Sequence, residues 1–124
     1  MANTADQDPD EHNPVFVYIM CAGAASYPRA KIGFSANPRA RLTRMQTGSP
    51  FRIRLVQAWR LDSRAMAVEV ERDVHQRLHE RHCHGEWFRC QEHVAMRHLH
   101  DALRERGLLQ SYRSLACQTA ASAM

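Results

Sequence analysis

Lysine is almost missing from this chain: of 17 basic residues, 16 are arginine and Lys31 is the exception. Long apolar runs are missing as well. No stretch approaches the roughly 18 apolar residues of a membrane-spanning helix, and the N-terminus lacks the basic-then-apolar order of a signal peptide. A soluble, cytoplasmic protein with no membrane partner is therefore expected. The four cysteines, Cys21, Cys83, Cys90 and Cys117, show no repeated C-x-x-C spacing. Neither a disulfide framework nor a standard zinc motif is signalled, and free buried thiols are expected. At 124 residues there is room for one modest core and not for two full domains.

Acids are absent from a long internal window. Residues 1–13 carry Asp6, Asp8, Asp10 and Glu11 with no Lys or Arg, but between Glu11 and Asp62 there are eight basic residues and no acid. They are Arg29, Lys31, Arg39, Arg41, Arg44, Arg52, Arg54 and Arg60. Such an imbalance favours a polyanionic partner. A generic arginine-rich surface is the competing explanation.

The polar, acidic residues 1–13 are expected to be disordered, and residues 110–124 to form a loosely held tail. The folded unit is expected over residues 14–109. Val15 to Met20 is a β-rich apolar run, and Ala30 to Phe34 returns as a second strand after a loop. A register placing Tyr18 opposite Lys31 puts both side chains on one face. Asn37-Pro38 starts a helix, since Asn caps free N–H groups and Pro loses nothing at the first helical position. The helix runs to about Met45 and stops at Gly48. At about 100° per residue, Arg41 lies close to the inner Leu42/Met45 stripe, whereas Arg39 and Arg44 point further out.

Phe51 to Trp59 reads as a third, half-buried strand, with Phe51, Ile53, Leu55 and Trp59 on one face and Arg52, Arg54, Val56 and Ala58 on the other. A helix follows from about Ser63 to Arg81 with Ala67, Val70, Val74 and Leu78 as its core stripe. Glu71 sits at the edge of that stripe with His75 one turn on, and a carboxylate so placed needs a cation or donor. Gly85-Glu86-Trp87-Phe88 closes the helix and inserts two aromatics. A last helix runs from about Gln91 to Arg106, ending at Gly107.

Phe16-Val17-Tyr18, Lys31-Ile32-Gly33, Arg41, Glu71 with His75, and Gly85-Glu86-Trp87-Phe88 stand in the order and spacing of a known set. In this respect the chain resembles the GIY-YIG nuclease superfamily, in its phage-type and meiotically upregulated branch, where the second triplet often appears as KIG. The resemblance covers about Val15 to Phe88. It implies an α+β fold, with a small three-stranded antiparallel sheet flanked by three or so helices. It also implies metal-dependent hydrolysis of DNA phosphodiester bonds with one divalent cation, Mg²⁺ or Mn²⁺. Tyr18 would orient or deprotonate the attacking water, Arg41 would hold the scissile phosphate, and Glu71 would ligate the metal. Lys31, standing where the family has its second tyrosine, would tune Tyr18 or relay its proton.

The chain departs from the family at that lysine, at Phe16 in place of glycine, and in having no asparagine after Asn37. Glu86 is a geometric substitute for the missing asparagine, and His75 a supporting residue. Arg39, Arg44, Arg52 and Arg54 are the expected DNA contacts. Plainer readings stand beside these. Tyr18 also reads as a core tyrosine, Glu71 with His75 as an i, i+4 pair on a solvated face, and Trp87 and Phe88 as core aromatics. A zinc site drawn from His82, Cys83, His84, Cys90 and His93 fits no standard finger spacing. Two further functions therefore stay open: a non-catalytic DNA-binding module on the same fold, and a zinc-stabilised interaction adaptor.

Overall fold

A computed structural model describes residues 14–24 and 26–108; the expected tails, residues 1–13 and 110–124, lie outside the described residues. The elements follow in the order β1 (Val15–Ala22), β2 (Arg29–Ser35), α1 (Pro38–Thr47), β3 (Arg54–Leu61) and α2 (Arg64–Arg77). A 3₁₀ turn (His79–Arg81) leads to β4 (His82–His84), β5 (Trp87–Phe88) and α3 (Glu92–Glu105). The strands form one sheet in the order β3-β1-β2-β5-β4, every neighbouring pair antiparallel. This is an α+β fold with five strands, not the expected three. The two extra strands are three and two residues long, too short for a hydrophobic period to register.

Alternation along β1 divides the molecule into two unequal layers. Val15, Val17, Ile19 and Cys21 face the main core, which they share with Ala67, Val70, Val74 and Leu78 of the α2 stripe and Ala95, Leu99, Ala102 and Leu103 of α3. Tyr18 and Met20 face the other way, into a smaller cluster with Ile53, Ala58 and, from α1, Leu42 and Met45. Beyond the main core, Asp73 accepts hydrogen bonds from Arg77 at 2.9 Å and from Arg106 at 2.7 Å, tying α2 to the end of α3. Among the described residues no helix is long and apolar enough to cross a membrane.

Three local expectations are corrected. Tyr18 pairs with Gly33, and Lys31 pairs with Met20. The register thus differs by two residues from the expected one, which leaves Lys31 on the face of Tyr18. The third strand starts at Arg54, and its pairing with β1 shifts between Ile19 and Met20, so that Ile19 meets Gln57 while Met20 meets Leu55. The extra residue, Val56, makes a bulge that reverses the alternation. Leu55 therefore joins the Tyr18 cluster while Trp59 turns to the main core. The helix expected to reach Arg81 ends at Arg77 and tightens into the 3₁₀ turn. Of the cysteines, Cys21 and Cys90 are buried and Cys83 is half-buried, all unbridged; Cys117 lies outside the described residues. Burial pushes the Cys21 thiol up to about 11, so it behaves as a small apolar side chain.

Candidate active site

Five side chains from five elements or turns meet at the β1–β2 face. Tyr18 comes from the middle of β1 and Lys31 from β2. Arg41 comes from the first turns of α1, whose direction is set by its cap: the Asn37 side-chain oxygen accepts from the Ala40 N–H at 3.1 Å, and Pro38 occupies the first turn. Glu86 stands in the β4–β5 turn, which Gly85 makes possible by adopting a φ of +58°. Glu71 reaches the site from α2, one turn before His75. The His75 Nε2 lies 2.8 Å from the Ile32 carbonyl, to which it donates, where β5 no longer covers β2.

Gly33 provides the space. A Cβ there would lie 2.7 Å from the Tyr18 hydroxyl oxygen and 2.8 Å from Glu86 Oε1. The ring of Tyr18 thus lies across a strand position that has no side chain, with the Glu86 carboxylate beside it. Lys31 Nζ donates to the same Glu86 oxygen at 2.8 Å, with the lysine side chain 13% exposed and the glutamate 37%. Lys31 also stands 5.9 Å from the centre of the Trp87 ring.

The electrostatics follow from burial. Tyr18 is fully buried, and burial pushes its hydroxyl up to about 12, with Glu86 and Glu71 adding to the rise. Arg41 pulls in the opposite direction but too weakly to prevail, and its approach does not complete a hydrogen bond to the hydroxyl. Glu71 is raised to about 7, first by burial and then by the hydrogen bond and negative charge of Glu86, with Lys31 opposing. Burial would raise Glu86 too, but Lys31's hydrogen bond and charge, together with the hydrogen bond from Glu71, hold it below the ordinary carboxylate range. Below about pH 7 the two carboxyls share a proton that resides on Glu71, while Glu86 stays ionised.

Among the described residues, four buried side-chain nitrogen or oxygen atoms lack a hydrogen-bond partner, and two of them, Tyr18 OH and Glu71 Oε2, belong to this cluster. Each such atom costs on the order of 1–3 kcal/mol. That cost marks a place where a ligand atom is wanted.

Tyr18, Lys31, Arg41 and Glu71 are thus brought together, with Glu86 as the fifth member and His75 holding the adjacent strand edge. Lys31 is not placed as the cation that tunes Tyr18; that position belongs to Arg41, and Lys31 is committed to Glu86. Arg39 and Arg44 are exposed on α1, and Arg52 is exposed in the loop after it. Arg54 stands apart: it pairs with Cys21, on the opposite face of the sheet, and forms an ion pair with Glu92 at 3.0 Å. Two features escaped the sequence reading. Gly33 was visible as a glycine inside a strand, a standing signal of close approach. The Lys31–Glu86 pair, separated by 55 residues, leaves no local trace.

Cations, a phenol and a proton-sharing carboxyl pair on one face of a small α+β sheet are the equipment of an anion-handling site. The chain belongs to the T5orf172 domain family, which matches residues 15–106. That family is related to GIY-YIG and HNH-like nuclease domains, so the domain is nuclease-like and DNA is the partner it suggests. Neither a curated protein nor a solved structure matches the chain.

Proposed function

We propose that this domain is a metal-dependent endonuclease that hydrolyses DNA phosphodiester bonds, of GIY-YIG type with Lys31-Ile32-Gly33 as a variant second triplet. The observation that carries the proposal is the pairing of two buried, partnerless oxygens, Tyr18 OH and Glu71 Oε2, with Arg41 and the Lys31–Glu86 pair. A guanidinium binds phosphate oxygens in a bidentate manner and never loses its charge, so Arg41 holds the scissile phosphate. Tyr18 stays protonated. With its hydroxyl near 12, ionisation at neutral pH costs about 7 kcal/mol, so it orients the water or a phosphate oxygen as a donor. Glu86, ionised and facing the same gap, receives the proton, and Lys31 fixes the direction in which it points.

The donor set fits a hard divalent cation, Mg²⁺ or Mn²⁺, with Glu71 as the ligand and Glu86 as its neighbour. Glu71 Oε2 is a buried oxygen without a partner, and Mg²⁺ uses one or two carboxylates and keeps several waters. When bound, such a cation supplies stabilisation of the charge that builds on the phosphate and the leaving oxygen. Zinc is the poorer fit. Among the described residues no group of three or more His, Cys, Asp or Glu could hold a metal ion, whereas structural zinc takes four protein ligands.

A second reading, a DNA-binding module without cleavage, is favoured by the raised Tyr18 and by the use of Lys31 as an ion-pair partner in place of a second phenol. Plasmid nicking separates the two. Nicking in Mg²⁺ or Mn²⁺ that disappears in Tyr18→Phe, Arg41→Ala and Glu71→Ala supports the enzyme; salt-sensitive binding with intact plasmid in both metals supports the module.

A further inference from the structure

Beside the five-residue cluster, on the same side of the sheet, a cleft of about 580 Å³ opens between the end of α1, the β1–β2 loop and the β4–β5 hairpin. Phe51, Tyr27, Trp87 and Met45 line it, and Arg29 and Arg44 complete the wall. Phe51 and Tyr27 are the two large apolar residues that the described structure leaves exposed, at 60% and 42%. Two exposed aromatics at one cleft wall mark a contact surface.

Phe51 is not exposed because its loop is loose. Its carbonyl accepts from Gln46 Nε2 at 2.8 Å, its N–H donates to Ser49 Oγ at 3.0 Å, and Gln46 Oε1 accepts from the Ile53 N–H, just before β3, at 2.7 Å. A side chain whose backbone is held by two such bonds, with a third two residues on, is presented, not mislaid. Trp87 is held as firmly, paired across the sheet with Lys31 on one side and His84 on the other. The Tyr27 ring lies 4.5 Å from the Arg29 guanidinium and 4.8 Å from that of Arg89.

We propose that this cleft takes an unpaired nucleobase of the substrate strand, next to the phosphate held at Arg41. The inference rests on the reading of DNA as substrate and adds which DNA is bound. Three observations select this occupant. Aromatic walls suit the flat face of any base. Arg29 and Arg44 meet no carboxylate among the described residues and so complement the flanking phosphates. The cleft also adjoins the cluster: Trp87, which lines the cleft, has its ring centre 5.9 Å from Lys31 Nζ, and Met45 lies about one helical turn beyond Arg41. A paired base has its faces covered by its neighbours, so only a base out of the stack can enter. Mismatched, flapped or single-stranded positions release one at least cost.

The test uses the full chain in EDTA, with no cleavage, and oligonucleotides carrying 2-aminopurine either fully paired or in an unpaired flap. Binding is followed by anisotropy and stacking by 2-aminopurine fluorescence. Tighter binding of the unpaired form by about tenfold, with quenching, is expected. Phe51→Ala should abolish that preference while leaving paired-duplex affinity within about twofold, and Phe51→Tyr should retain it. Equal affinity for both forms, or a preference that survives Phe51→Ala, overturns the base site while leaving the nuclease reading intact. Failure of both oligonucleotides to bind overturns the DNA reading and the base site together. An apolar fluorophore held in the cleft and not displaced by the flap oligonucleotide assigns the cleft to an apolar partner and overturns the proposal.

Discussion

A side chain on Gly33 would collide with the Tyr18 hydroxyl, 2.7 Å from where its Cβ would stand. The two residues are cross-strand partners, so the phenol occupies the space that its partner leaves empty. Gly33→Ala is therefore expected to displace Tyr18 and Glu86 together. Nicking should be lost, and stability should fall by about 1–3 kcal/mol, measured by urea denaturation. A variant that nicks plasmid at the wild-type rate would show that the gap is not needed.

Removing the hydroxyl itself should have the opposite effect on stability. Tyr18→Phe deletes a buried oxygen without a partner. The variant is expected to be as stable as the wild type or to gain on the order of 1 kcal/mol, about 4–8 °C in melting temperature for a domain of this size, while plasmid nicking disappears. A melting temperature several degrees lower would mean that the hydroxyl has a partner after all.

Glu71 makes stability pH-dependent in the metal-free protein. Its folded value, near 7, lies above its unfolded one, so the folded state holds the proton more tightly. That contribution is complete below about pH 4.5 and is lost as pH rises through 7. Glu71→Gln, neutral throughout, should match the wild type at pH 4.5 and exceed it at pH 8 by on the order of 1 kcal/mol, its partial exposure keeping the figure small. Thermal melts in EDTA across this range check the crossing; parallel curves would rule out the shared proton.

Lys31 is expected to act through Glu86. Lys31→Arg keeps the charge but replaces a compact ammonium with a planar fork. It should fold and bind DNA normally while nicking falls about tenfold or more. Lys31→Met should lose nicking and, with Glu86 left unpaired, about 1 kcal/mol of stability. Wild-type nicking by Lys31→Arg would remove both the positioning and the proton-relay roles.

Asp73 offers a control outside the site. Arg77 holds its carboxyl below the ordinary range against the cost of burial, with Arg106 assisting. The stabilisation is present above its unfolded value near 4 and is lost as pH falls through the lower folded value. Asp73→Asn should cost about 1–2 kcal/mol at pH 7 and much less near pH 2, with nicking per folded molecule unchanged. Equal stability of variant and wild type at pH 7 would show the pair to be idle.

The parts of the fold that sequence makes legible are those governed by local rules. The Ala67, Val70, Val74, Leu78 stripe is buried as its spacing requires, and Asn37-Pro38 caps and starts α1 as its chemistry requires. Strand faces were harder. The Val56 bulge turns Trp59 away from Leu55, and nothing in a pattern of alternating residues announces an extra one. At the site, Tyr18, Lys31, Arg41 and Glu71 were legible as candidates because they stand at ordered spacings on recognisable elements. The partner of Lys31 was not, because a hairpin of two- and three-residue strands carries Glu86 to it.

The proton shared by Glu71 and Glu86 also determines how this face looks to an approaching polyanion. With that proton in place, the carboxyl pair presents a single negative charge, opposed by Lys31 and Arg41. A divalent cation that displaced the proton would bring more positive charge than the proton it replaced. The pair would thus act as a charge buffer: the face would stay net positive toward a polyanion with the proton in place, and a bound divalent cation would leave it more so.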